Sequence, residues 1–292
     1  MLQSKTRDGR WFQIGVGIFL TTVLLIILIP FWRVIVTAFV PLDTYITEGV
    51  PFFLPLKKWT AEAFTQLMGH TQFTIALRNS VIITVLGVAI SMTLTIPLAY
   101  GLSARNLPGR KLIVAIVLFT YLFNPGLIPV YLLVTSLKLQ NNFLAVILPP
   151  ALSVFNTLVM MGFFEGLPDD FKEAARLDGA NELQVLWHVI LPLSKPILLT
   201  IGLFYAVFFW NEFFTPILYL NDGNLIPLPV LLRNILISSS LNEFVEYNAF
   251  STTSVESLKA AGVLITMLPM LLLYPWIQRY FTKGSLVGGV KE

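Results

Sequence analysis

Between Glu173 and Pro196 the chain reads EAARLDGANELQVLWHVILPLSKP, a polar stretch lodged between two apolar runs. These residue types suit docking more than bond-making. Pro168 is followed by Asp169 and Asp170, and acids stabilise the positive end of a helix. A short helix is therefore predicted over about 169–177. Asp178-Gly179 is a turn signal, because glycine is free to take positive φ. Asn181 with Gln184 three residues on makes a loose capping box for a second helix. Pro192 is expected to end that helix, since proline lacks a backbone N–H and restricts its predecessor. Ala174 and Ala175 leave a face that a partner can approach closely, with Glu173 and Arg176 placed to pair with it. A second set of polar residues, Trp210-Asn211-Glu212-Phe213, lies inside an apolar run. An ionisable group in a membrane helix is costly and faces protein or water rather than lipid. This set either walls a pathway for a polar solute or fixes helix packing through an internal contact. Asn156 and Asn124 are further candidates of the same kind.

No catalytic constellation accompanies these residues. The chain has no G-x-x-x-x-G-K-[ST] loop for ATP, no H-E-x-x-H and no G-x-S-x-G. It has no cysteine, which excludes disulfides, thiolate metal sites and a cysteine nucleophile. Its two histidines, His70 and His188, are far apart, and no carboxylate cluster has metal-ligand spacing. His188 falls in the second helix of the polar stretch, where packing at an interface is its expected role.

The elements that position these residues follow from composition. Of 292 residues, 56% are hydrophobic and only 12% charged, with a mean hydropathy of +0.78. Apolar runs of 18 or more residues recur, so the chain is an all-α polytopic membrane protein. Six spans are expected, at about 13–40, 75–102, 112–134, 143–164, 196–220 and 253–281. The first is read as a retained span rather than a cleaved signal, with Arg33 snorkelling near its far end. Asn124-Pro125-Gly126 and Pro129 interrupt the third, and a broken span must satisfy its freed backbone groups from protein or cavity water. Thr253 and Glu256 are expected to cap the last helix. Six spans place both termini on one side. The N-terminal segment, the 103–111 loop, the 165–195 loop and the C-terminal end from Arg279 each carry three Lys or Arg, which assigns them to the cytoplasm. The net charge of +3 reflects such loops and does not argue for nucleic-acid binding. The expected organisation is a cytoplasmic segment 1–12, a transmembrane domain 13–292, a cytoplasmic loop 165–195, external loops 41–73 and 221–252, and a tail 282–292.

Glu173-Ala174-Ala175, Asp178-Gly179-Ala180, Ile190, Leu191-Pro192 and Pro196 stand at the spacing of the EAA loop. The chain thereby resembles the membrane subunits of binding-protein-dependent ABC importers, and over nearly its whole length it is most similar to carbohydrate permeases of the maltose type. The resemblance implies the type I importer permease fold. It implies that Glu173, Ala174, Ala175, Asp178, Gly179, Ala180, Leu191 and Pro192 dock on an ATPase subunit. It implies a sister permease, two ATPases that bind ATP and Mg, an external solute-binding protein, and no cofactor of this chain's own. Trp210, Asn211, Glu212, Asn156 and Asn124 would then line the path of a sugar, an oligosaccharide or polysaccharide fragment, with acidic pieces such as those of alginate or pectin among the options. The tail Gly288-Gly289-Val290 resembles tails that reach between the ATPases. A bacterial cytoplasmic (inner) membrane is the implied location. The alternatives are the same role for a non-sugar solute, or an ion-coupled secondary transporter. The latter predicts intramembrane ionisable relays, yet Glu212 is almost alone. On a continuous fifth helix Glu212 would sit roughly 24 Å from Pro196, in the outer part of the bilayer. Asn211 would lie about 100° round the helix from it.

Overall fold

A computed structural model describes residues 7–237 and 253–284, and among them every regular element is helical. The order is α1 (Arg7–Ala38), α2 (Leu42–Glu48), α3 (Glu62–Gly69), α4 (Thr71–Ser103), α5 (Arg110–Leu122), α6 (Leu127–Ser136), α7 (Phe143–Ile147), α8 (Val154–Glu165), α9 (Asp170–Leu177), α10 (Glu182–Leu193), α11 (Lys195–Asn211), α12 (Phe214–Tyr219), α13 (Leu228–Ile237) and α14 (Val255–Gly284). Positions 238–252 and the Gly288-Gly289-Val290 tail lie outside the described residues.

Among the described residues three helices are long and apolar enough to cross a bilayer: Phe12–Ala38 within α1, α4, and Val255–Leu273 within α14. The other three apolar runs are interrupted, each for a stereochemical reason. α5 and α6 meet at 106°, where Gly126 adopts φ 84° and the Asn124 Oδ1 accepts from the Gly126 N–H at 2.9 Å. The fourth run, expected as one helix over 143–164, splits into α7 and α8 around Pro149-Pro150. Ser153 then caps α8, its Oγ accepting from the Asn156 N–H at 3.3 Å. The fifth run stops at Asn211 and restarts at Phe214. Pro216 supplies the cause: its ring crowds the carbonyl four residues back, that of Glu212.

The chain divides into two compact units, Met1–His70 with Asn234–Met267, and Thr71–Arg233 with Leu268–Glu292. In the first, the 41–73 loop is ordered by side chains that satisfy its backbone. Trp32 Nε1 donates to the Phe52 carbonyl at 2.8 Å and Arg33 to the Val50 carbonyl at 2.9 Å. Arg33 thus finds a protein partner rather than open interface. Trp59 stacks on Phe39 at 4.7 Å. Ser254, not Thr253, caps α14: its Oγ accepts from the Ser257 N–H at 3.0 Å. The helix starts at Val255, so 257 rather than 256 is its third residue.

In the second unit α4 packs against α8 and α11 around Ile83, Met160, Phe164, Ile201 and Phe209, all nearly inaccessible. In lipid such packing is driven by close van der Waals fit, which favours small residues at the contact. Gly87 is such a residue. A Cβ placed there would lie 2.6 Å from the Phe209 ring. Arg110 ties the end of α4 to the end of α8: its Nε donates to the Leu102 carbonyl at 2.7 Å, and its guanidinium pairs with Glu165.

Candidate functional sites: a docking loop and an aromatic concavity

α9 and α10 form the helix–turn–helix read from the sequence. Gly179 takes φ 86°. Its N–H bonds to the Arg176 carbonyl, and the Ala180 N–H reaches back to the Ala175 carbonyl, both at 3.0 Å. This pair of bonds is a Schellman motif with Gly179 in the left-handed position, and it closes the carbonyls left open at the end of α9. The motif brings Ala175 and Ala180 together against the core around Val185 and Ile190, and their small side chains allow it. Asn181 and Gln184 make the full capping box, at 2.8 Å and 2.9 Å. The helix does not end at Pro192. A widened π turn over Leu186–Ile190 precedes the proline, giving its ring room against the His188 carbonyl. α10 runs to Leu193 and meets α11 at 86°.

Glu182 links the two halves of the loop. It accepts from Arg176 Nε at 2.9 Å and from the Tyr100 hydroxyl at 2.8 Å. The Arg176 guanidinium, then the Tyr100 hydroxyl, hold the Glu182 carboxyl below its usual range. This tie is present above the ordinary carboxylate pKa and is lost as pH falls through the depressed value. Beside the turn, Ala175, Asp178, Gly179, Ala180, Gln184, His188 and Val189 line a hollow of about 340 Å³. His188 Nδ1 lies 3.1 Å from the Gln184 carbonyl. Glu173 and Ala174 are exposed on the same short helix.

The second feature is a concavity of about 860 Å³, built where the three interrupted runs meet. Its lining includes Asn124 and Asn156 from the sequence-derived set, together with Tyr121, Phe155, Phe204, Tyr205, Phe208, Phe214 and Tyr219. None of its described lining residues is charged. Tyr205, 2% exposed, holds the wall. Its hydroxyl lies 2.8 Å from Thr95 Oγ1 and accepts from the Ser153 N–H at 3.0 Å. One phenol thereby fixes α11 against α4 and against the start of α8. Tyr205→Phe leaves the buried Thr95 hydroxyl and the Ser153 N–H without this partner. It is expected to destabilise the protein by about 1–3 kcal/mol, read as a lower unfolding temperature of the purified chain.

Trp210, Asn211 and Glu212 do not join the lining. Asn211 is the last residue of α11 and donates its amide to the Val207 carbonyl at 2.8 Å. Glu212 is not helical. Its Oε1 accepts from the Thr215 N–H at 2.8 Å and so caps the start of α12. The helical spacing expected between the two residues therefore does not apply. Trp210 is buried, 4% exposed. Thr215 and Phe214, which Glu212 positions, do line the concavity.

Against known proteins, residues 73–285 match the family described as "Binding-protein-dependent transport system inner membrane component". The chain belongs to this family. It is thus an inner-membrane permease component of a binding-protein-dependent transport system, a transport part rather than the ATPase. It is 39% identical over 285 residues to the polygalacturonan/rhamnogalacturonan transport system permease protein YtcP of Bacillus subtilis (strain 168), covering 97% of this chain and 99% of that one. It is 38% identical over 290 residues to protein LplC of the same organism, covering 98% and 97%. Among solved structures it is similar to a chain of a bacterial ABC transporter involved in the import of the acidic polysaccharide alginate. That match has a TM-score of 0.89 and 32% identity, and covers 96% of this chain and 100% of that one. Tyr205, Tyr121 and Phe155 were not singled out from the sequence as lining residues. Nothing local marks them, because the concavity brings together residues up to about a hundred positions apart.

Proposed function

We propose that this permease forms one half of the membrane pathway of an ATP-driven importer for oligosaccharides cut from acidic polysaccharides. The observation that carries the reading is the concavity: uncharged, rich in aromatic faces, and edged by amide and hydroxyl groups. Sugar rings present apolar faces and a rim of hydroxyls, and sites for such ligands combine aromatic walls with a few polar groups. The names of the similar permeases point the same way. A sister permease completes the wall, and two ATPase subunits bind ATP and Mg. The α9–turn–α10 unit docks on one ATPase through Glu173, Ala174, Ala175, Asp178, Gly179 and Ala180, with Leu191 and Pro192 closing its base. Closure of the ATPases then opens the pathway outward toward the solute-binding protein, and their separation opens it inward.

The test is copurification with the sister permease and ATPases, followed by a screen for solutes whose loaded binding protein stimulates ATP hydrolysis. Uronate-containing oligosaccharides are expected to stimulate. Stimulation by amino acids, phosphate or polyamines alone overturns the reading. Orientation is tested separately, because the chain has no cysteine of its own. A cysteine at position 57 is expected to react with an impermeant reagent on intact cells, and one at 181 only after lysis.

A further inference from the structure

Where the fourth apolar run breaks, the N-terminus of α8 opens into the concavity. Ser153, Val154, Phe155 and Asn156, its cap and first three residues, all belong to the lining. A helix leaves its first N–H groups without intrahelical partners. Here Ser153 accounts for only part of them: its Oγ takes the Asn156 N–H and its carbonyl takes the Thr157 N–H. No hydrogen bond among the described residues engages the N–H of Val154 or of Phe155. The Asn156 side chain makes no hydrogen bond among the described residues, and the residue, 6% exposed, lines the concavity. The amide is not among the enclosed polar groups; it opens to the concavity and keeps its donors and acceptor for what enters there.

The surroundings set the chemistry of what it meets. Two backbone N–H groups, one side-chain amide and the positive end of a 12-residue helix meet at one wall. All favour an oxygen-rich or anionic group. Among the described residues no lysine or arginine lines the concavity to do this instead, and no aspartate or glutamate there opposes it. We infer that the N-terminus of α8, with the Asn156 amide, is the subsite that receives a sugar carboxylate during passage. The inference rests on the carbohydrate reading above and adds to it where the charge of an acidic sugar is met. Dipolar donors serve transport better than a fixed cation. They stabilise a carboxylate without a buried ion pair, so the solute can also leave. Tyr121 and Phe155 flank the wall with ring faces for the sugar itself.

The geometry provides a selective test. Proline suits the first position of a helix, and Ser153, with ψ 119°, already has the extended backbone that precedes a proline. Val154→Pro therefore removes one N–H while keeping the helix start. Asn156→Leu removes the amide while keeping the number and branching of the side chain's heavy atoms. Each is assembled into the full complex in proteoliposomes and assayed with trigalacturonate and with its carboxyl-reduced counterpart. The readout is the ratio of KM for the acid to KM for the neutral sugar, which cancels losses of folding or assembly. Each variant is expected to raise that ratio about tenfold, as the loss of a hydrogen bond to a charged group implies. A ratio equal to the parent's in both variants, with both sugars carried, overturns the subsite alone. A parental complex that carries neither sugar overturns the carbohydrate reading and the subsite with it.

Discussion

Gly87→Leu is expected to deprive the protein of its folded, assembled form, and Phe209→Ala in the same chain to restore part of it. Gly87 lies in the middle of α4, and a Cβ there would stand 2.6–2.7 Å from three atoms of the Phe209 ring. Cβ atoms do not approach rings this closely, so the ring or the helix must move. Phe209 is 3% exposed and walled in by the core around Ile83 and Ile201, so the ring has nowhere to turn. Overpacking of this kind costs about 1–3 kcal/mol even for a single methylene, and leucine adds four heavy atoms. The effect also reaches the concavity. Phe204, Tyr205 and Phe208 project from the same helix as Phe209 and form one of its walls. A double-mutant cycle on yield of folded complex separates the causes. If Phe209→Ala fails to improve Gly87→Leu at all, the close approach of α4 and α11 is not what the glycine serves.

At Gly179 the expected result is a graded loss of coupling rather than of folding. The residue needs φ 86° and an N–H that bonds to the Arg176 carbonyl. Proline can supply neither, since its ring fixes φ near −65° and removes the donor. Alanine keeps the donor but pays about 1–2 kcal/mol for the left-handed conformation. Asparagine visits that conformation most readily among the residues with a side chain. Association with the ATPases, and with it uptake, is expected to fall in the order Gly, Asn, Ala, Pro. The proline variant should be tenfold or more below the parent while still reaching the membrane. Equal ATPase copurification by all four chains removes the docking role from this turn.

These two glycines also show how unevenly the sequence discloses the fold. Gly179 was legible because every signal around it is local. Asp178-Gly179, Asn181 and Gln184 act within a few residues of one another, and the Schellman motif and capping box close where they were expected. The Asn124-Pro125-Gly126 break was legible for the same reason. The break at Glu212 was not, because its cause, Pro216, sits four residues downstream and acts backwards on a carbonyl. The expectation of a helix ending at Pro192 failed for the converse reason, since a π turn upstream absorbed the proline. Gly87, Tyr205 and the aromatic wall could not be read at all. Their roles depend on which helices meet, and α4, α8 and α11 are far apart along the chain.

Passage of acidic oligosaccharides through this permease is expected to depend on its docking loop. It is tested most directly by uptake of labelled trigalacturonate into proteoliposomes that hold the full complex, with ATP supplied to the ATPase face. Accumulation that requires ATP and the binding protein, and that disappears when this chain carries Gly179→Pro, is the predicted result. Accumulation that continues undiminished with Gly179→Pro, or a parental complex that accumulates only solutes without sugar rings, would contradict it.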